Sequence, residues 1–70
     1  MDYAYDYYRI SIPGDLADSL TELAEHAINE ARERARLYCI PCDWEARRVS
    51  GDIGDHEVRF VVRRRRRRSA

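Results

Sequence analysis

The chain contains no lysine, and this is the most informative of its absences. All 13 basic side chains are therefore arginine guanidinium groups. These groups stack on aromatic rings and form forked hydrogen bonds with carboxylates and phosphates, which an ammonium group does not. A genome of high GC content also favours arginine over lysine, so the bias by itself assigns no function.

Long apolar segments are missing too. No run approaches the roughly 20 residues that a membrane-spanning helix needs, and the acidic, tyrosine-rich start does not resemble a signal peptide. We therefore expect a cytoplasmic protein with no membrane partner. The 70 residues make one domain at most. Because so small a core is marginal on its own, we also expect a homo-oligomer or a stabilising partner.

Signatures of catalysis and of metal binding are scarce. The sequence has no glycine-rich phosphate loop, nucleophile elbow or paired-carboxylate pattern, so we expect a protein that is not an enzyme. Cys39 and Cys42 have the spacing of half a zinc site, with only His26 and His56 as further ligands. A redox pair normally precedes a helix, whereas this pair follows one. Two reduced structural thiols are the preferred interpretation, with a metal site or a redox pair as the alternatives.

One helix pattern is clear. Apolar side chains recur every three or four residues from Leu16 to Tyr38, which predicts a helix over residues 16–38 with one apolar stripe. Asp15 is a candidate N-cap, and Ser19 with Glu22 offers a capping box if the helix begins later. The second half of the stripe is mostly alanine, so the bulky side chains of the core must come from the strands.

Three segments have the composition of strands, namely residues 3–12, 44–49 and 57 to about 65. In a strand–helix–strand–strand chain, the first two strands can lie parallel with the third between them. The sequence therefore predicts an α+β fold, β-α-β-β, in which a three-stranded sheet of order 1-3-2 carries one long helix on one face. For the hairpin we expect Arg48 opposite Val58 and Trp44 opposite Val62, with Arg48 at the edge of the helix-side face.

Strand alternation collects an aromatic and basic set on the face away from the helix. Its members are Tyr3, Tyr5, Tyr7, Arg9, Arg47 and Arg59. Such a set on an open sheet can stack single-stranded bases. An exposed aromatic face is more often an oligomer interface, and for the tyrosines we favour that interpretation.

The net charge of zero hides a strong asymmetry along the chain. Residues 1–62 carry a formal charge of −6 and six consecutive arginines then add +6. We divide the chain into a β-α-β-β domain, residues 1–62, and an arginine-rich strand extension or tail, residues 63–70. Adjacent guanidinium groups bind phosphate backbones without base specificity. The candidate residues for nucleic-acid or polyanion binding are Arg63, Arg64, Arg65, Arg66, Arg67, Arg68, Arg59 and Arg47. Alternatively, the first arginines extend the third strand and the rest form a solvated tail, or the run neutralises the acidic helix face of a neighbouring subunit.

The layout from Tyr8 to Arg66 resembles dodecin, a family of small flavin-binding proteins that assemble into hollow dodecamers. The likeness consists of Tyr8-Arg9-Ile10 in the opening strand, the long helix with its alanine stripe, Asp43-Trp44, and a hairpin with Gly51 and Gly54. The resemblance implies that Trp44 stacks on flavin. The family's flavin-contacting glutamine corresponds to Val61 here, and the Cys39-Ile40-Pro41-Cys42 segment and the arginine run have no counterpart.

The leading hypothesis is a small, non-enzymatic, oligomeric binding module that uses its arginine-rich C-terminus to bind nucleic acid or an acidic partner. One alternative is a dodecin-like flavin-binding or storage protein. Another is a phage or accessory protein that docks on a host protein through Tyr3, Tyr5 and Tyr7.

Overall fold

The computed structural model describes residues 3–36 and 43–67. Along the chain lie strand β1 (Tyr3–Ile12), helix α1 (Leu20–Ala35), strand β2 (Asp43–Ser50) and strand β3 (Val58–Arg67). β3 lies at the centre of the sheet and runs antiparallel to both neighbours, which gives the order β1-β3-β2. The predicted α+β fold and its sheet order are therefore confirmed. Within the described residues, no helix is long and apolar enough to cross a membrane.

The helix is shorter than the predicted 16–38. It begins after Ser19, whose extended backbone (φ −141°, ψ 155°) lets its hydroxyl accept a hydrogen bond from the Glu22 N–H at 3.2 Å. The later of the two candidate caps is thus the one used, and Leu16 lies outside the helix with half of its surface exposed. The helix ends at Arg36, whose left-handed backbone (φ 55°) turns its N–H onto the carbonyls of Arg32 and Glu33.

The core lies between the helix and the sheet. α1 contributes Leu23, Ala27 and Ala31, and the alanines let the helix approach the strands closely. The bulky core side chains come from the strands, as the sequence predicts, but the buried ones lie only on β1 and β3: Ile10, Ile12, Val58, Phe60 and Val62. Tyr8, Trp44 and Ala46 are half-buried at its margin. This core is small, with three of its eight buried apolar residues on the helix.

The predicted register of the β2–β3 hairpin is wrong by two residues. Arg48 pairs with Phe60 and Trp44 pairs with Arg64, in place of Val58 and Val62. The cause lies near the turn: β2 has a bulge between Arg48 and Ser50, and Gly51 with its positive φ (87°) follows the end of the strand. Because the slip is an even number of residues, every side chain keeps its predicted face.

The hairpin loop is tied to the turn that follows β1. The Gly14 N–H donates to the Asp55 carbonyl at 2.9 Å, and the Gly54 N–H donates to the Gly14 carbonyl at the same distance. A Cβ atom on Gly14 would lie 2.4 Å from the Asp55 carbonyl oxygen. Glycine at this position therefore lets the two loops approach closely enough to bond.

Candidate nucleic-acid interface

One face of the sheet is left uncovered by the helix, and three columns of side chains lie on it. We call it the open face. β1 contributes Tyr3, Tyr5, Tyr7, Arg9 and Ser11; β3 contributes Arg59, Val61, Arg63 and Arg65; β2 contributes Asp43, Glu45, Arg47 and Val49. The aromatic and basic set predicted for this face thus occupies it as expected. Six large apolar side chains are exposed in the described chain, and four of them belong to the open face: Tyr3, Tyr5, Tyr7 and Val49.

The arginine run is part of the central strand. β3 continues through the proposed boundary at residues 62 and 63 to Arg67, whose backbone pairs with Tyr3. Arg63 and Arg65 therefore alternate with Arg64 and Arg66 between the open face and the helix side. Arg68 lies outside the described residues, as do Cys39 and Cys42.

We call the end of the open face that carries Arg63 and Arg65 its upper part. There, each of these two arginines lies between a tyrosine and a carboxylate. The Arg63 guanidinium carbon is 5.0 Å from the Tyr5 ring centroid, and the Arg65 carbon is 4.7 Å from that of Tyr3. On the other side Arg63 forms an ion pair with Glu45 at 3.6 Å. Arg65 hydrogen-bonds to Asp43, and this bond raises the pKa of its guanidinium. These contacts hold the guanidinium groups against the sheet.

Tyr7 is the most exposed of the three rings. Its exposed fraction is 63%, against 45% for Tyr5 and 37% for Tyr3. Its direct partner across the strands is Arg63, but that side chain leans over Tyr5. The described contacts place no guanidinium over the Tyr7 ring, so this ring is the one most available to a planar partner.

The lower part of the open face is the end that carries Val61, and arginines surround this valine. Val61 lies directly between Arg9 of β1 and Arg47 of β2. Within residues 3–36 and 43–67, neither Arg9 nor Arg47 has a carboxylate within ion-pair distance. Arg59, the third arginine here, pairs with Glu57 at 3.1 Å. Positive charge is thus concentrated at this end of the face.

On the helix side, Arg64 is the one buried charged residue of the described chain, with 7% of its surface exposed. Its Nε donates to Asp6 Oδ2 at 3.0 Å and its Nη2 contacts the same oxygen, while Arg66 Nε donates to it at 3.1 Å. The hydrogen bonds from Arg64 and then Arg66 lower the pKa of Asp6 below its usual value. Burial is the largest single influence and opposes the charge on Arg64, but the hydrogen bonds and charges of Asp6 and Tyr8 together outweigh it and leave the pKa of Arg64 raised.

Trp44, the residue that the resemblance to dodecin assigns to flavin stacking, is half-buried on the helix side. Its ring centroid lies 6.1 Å from that of Tyr8. The guanidinium carbons of Arg32 and Arg64 are 5.9 and 5.8 Å from it. The indole therefore already has aromatic and cationic neighbours from within the chain.

The carboxylates that hold the arginine run in place were not predicted as its partners, although strand alternation puts Glu45 on the same face as Arg63. Asp6, Asp43 and Glu45 come from the two edge strands and together pair with the four arginines 63–66: Asp6 on the helix side, Asp43 and Glu45 on the open face. Extending strand alternation through residues 63–67 would have paired the arginines on each face with these acids. In the described part of the chain, no group of three or more His, Cys, Asp and Glu side chains could hold a metal ion.

The chain was compared with family models, with curated proteins and with solved structures. No family model, no curated protein and no solved structure matches it. The resemblance to dodecin therefore stays a prediction.

Proposed function

We propose that the protein is a non-enzymatic binding module whose open face binds single-stranded nucleic acid. The observation that carries the proposal is the column of exposed tyrosines, Tyr3, Tyr5 and Tyr7, next to the column of guanidinium groups on β3. Aromatic rings stack bases of any sequence, and arginines attract the phosphate backbone. A cytosolic location is part of the proposal.

The spacing of the rings favours a single strand over a duplex. Alternate residues of a β-strand are about 6.8 Å apart, which is twice the rise of about 3.4 Å per nucleotide in duplex DNA. Neighbouring rings therefore cannot take neighbouring bases of a stacked helix. A strand whose bases are unstacked and spread over the sheet can use Tyr5 and Tyr7 in succession.

Charge favours a polyanion over a second copy of the chain on this face. The described side chains of the open face include five arginines, against three carboxylates when Glu57 at its edge is counted. Two such faces brought together would place like charges opposite one another in a low-dielectric interface. An anionic partner gains from the same charges.

Association of copies through the sheet edges is compatible with an accessible open face. Within the described residues, β1 and β2 each pair on one side only, and the core is small for an independent domain. We include a homo-oligomer in the proposal for this reason.

Fluorescence anisotropy with a labelled uridine homopolymer tests the proposal. We expect binding to weaken as salt rises: the logarithm of the association constant should fall against the logarithm of the salt concentration with a slope of about 0.7 for each phosphate contacted. A duplex of equal length should bind more weakly. Tyr7→Ala should cost about 1–2 kcal/mol, the value of one stacked base, whereas Tyr7→Phe, which keeps the ring, should bind like the parent. Absence of binding, independence from salt, or equal loss in both Tyr7 variants would contradict the proposal.

A further inference from the structure

In the lower part of the open face, two arginines flank Val61 and a shallow depression lies beside it. Arg9 and Arg47 are both register partners of Val61, so two strand spacings, about 10 Å, separate their Cα atoms. Cations placed this close on a sheet repel each other unless an anion lies between them. Arginine side chains are long enough to converge over the valine.

A shallow depression of about 270 Å³ lies at this point. Its lining includes the apolar residues Val49 and Val61, the arginines Arg9 and Arg59, and Ser11. Binding pockets for drug-sized ligands are typically larger, about 300–1,000 Å³. The depression therefore suits a phosphate with its attached sugar: the arginines and Ser11 would bind the phosphate, and the valines would contact the sugar.

One carboxylate borders the depression and opposes an anion there. Glu57 Oε2 accepts a hydrogen bond from Arg59 Nε at 3.1 Å. Hydrogen bonding from Ser11 and from Arg59 lowers the pKa of Glu57, so the carboxylate is ionised at neutral pH. Glu57 thus holds two donors of the depression, and its charge disfavours any anion that approaches them.

From this arrangement we propose that the depression lined by Val61, Arg9 and Arg59, with Arg47 on the other side of Val61 from Arg9, is a subsite for one phosphodiester group, with Glu57 as its competing internal anion. The proposal rests on the proposed function, because the phosphate is taken to belong to a strand on the open face. Tyr7 lies two residues from Arg9 on the same column, about 6.8 Å away. A strand can therefore place a phosphate in the subsite and its adjoining base on Tyr7.

Matched pairs of variants test the subsite in the intact protein, again with the labelled uridine homopolymer. Arg47→Gln and Arg48→Gln remove the same charge from neighbouring positions on opposite sides of β2. Arg47→Gln and Arg9→Gln should each weaken binding roughly five- to tenfold and reduce the salt slope by about 0.7. Arg48→Gln should change affinity less than about twofold, the effect of a screened charge on the opposite face of the sheet. Because Arg48 donates to the Gly51 carbonyl, Arg36→Gln serves as a second control.

Glu57→Gln gives a result of opposite sign. It removes the competing anion and should strengthen binding about two- to fivefold, whereas a merely structural role would weaken binding. Titration with inorganic phosphate and with uridine monophosphate, followed by NMR shifts of the Arg9, Val61 and Arg47 amides, separates the two sources of phosphate. We expect the nucleotide to bind more tightly than phosphate alone.

The outcomes distinguish the subsite from the proposed function. If the homopolymer binds but Arg9→Gln and Arg47→Gln match Arg36→Gln, the subsite is wrong and the function of the face stands. Unchanged or weaker binding by Glu57→Gln also overturns the subsite. If only inorganic phosphate binds and the homopolymer does not, both the subsite as assigned and the proposed function fail.

Discussion

Asp6→Asn tests whether the buried ion pair stabilises the sheet. The substitution keeps the shape of the side chain but removes the charge that faces Arg64 and Arg66. Breaking a buried pair by removing one partner costs about 3–5 kcal/mol. The Asp6 side chain is 33% exposed and water screens part of the interaction, so we expect about 2 kcal/mol. For a domain of this size, the melting temperature should then fall by about 8–16 °C.

Thermal unfolding followed by circular dichroism measures this effect, and Asp43 of β2 provides the control. Asp43→Asn removes the partner of Arg65, but that pair is largely exposed, so its melting temperature should stay within error of the parent. Arg64→Met should cost less than Asp6→Asn, because the charge leaves the interior and Asp6 keeps its bond to Arg66.

The stability that Asp6 contributes should depend on pH. Because the folded pKa of Asp6 lies below its ordinary value of 3.8, the ionised form stabilises the fold above that pH. This contribution is lost as pH falls through the lower folded pKa. The difference in melting temperature between the parent and Asp6→Asn should therefore narrow below about pH 3.8. A difference that is absent at neutral pH, or that widens in acid, would refute the reasoning.

Four further results are expected. Ser19→Ala should lower the free energy of unfolding by about 1 kcal/mol, whereas Asp15→Ala should leave it unchanged because Ser19 is the cap; urea denaturation measures both. Gly14→Ala should cost about 1–3 kcal/mol in the same assay, since its Cβ would clash with the Asp55 carbonyl. Light scattering should give a mass above the 8.3 kDa of one chain, and a monomer would contradict the proposed association. The purified protein should be colourless and should not quench riboflavin, because Trp44 already has neighbours from within the chain; a yellow protein would support the flavin alternative.

The architecture could be predicted because each element has a strong local pattern. Periodicity identified the helix, alternation assigned residues such as Tyr5 and Ile10 to opposite faces, and the order of elements limited the sheet topology. The ends of the helix were less predictable. Apolar spacing continues to Leu16 and Tyr38, but the Ser19 hydroxyl bond and the left-handed backbone of Arg36 set the observed limits.

The hairpin register and the open-face subsite depend on tertiary detail that no local pattern contains. A two-residue slip leaves the apolar faces unchanged, so hydrophobic alternation could not exclude it. The bulge next to Val49 and the positive φ of Gly51 decide the register. That register also places Arg47 rather than Glu45 beside Val61, and so brings Arg47 across from Arg9.

The arginine run shows most clearly that charge separation along a chain need not persist in space. Read linearly, residues 1–62 are acidic and the run is a basic tail. In the fold, β3 carries the run between two strands whose carboxylates, Asp6, Asp43 and Glu45, pair with it. Truncation before Arg63 would remove half of the central strand and the partner of Asp6. Loss of nucleic-acid binding on truncation would then report unfolding, so only single substitutions on one face, such as Arg47 against Arg48, can separate binding from stability.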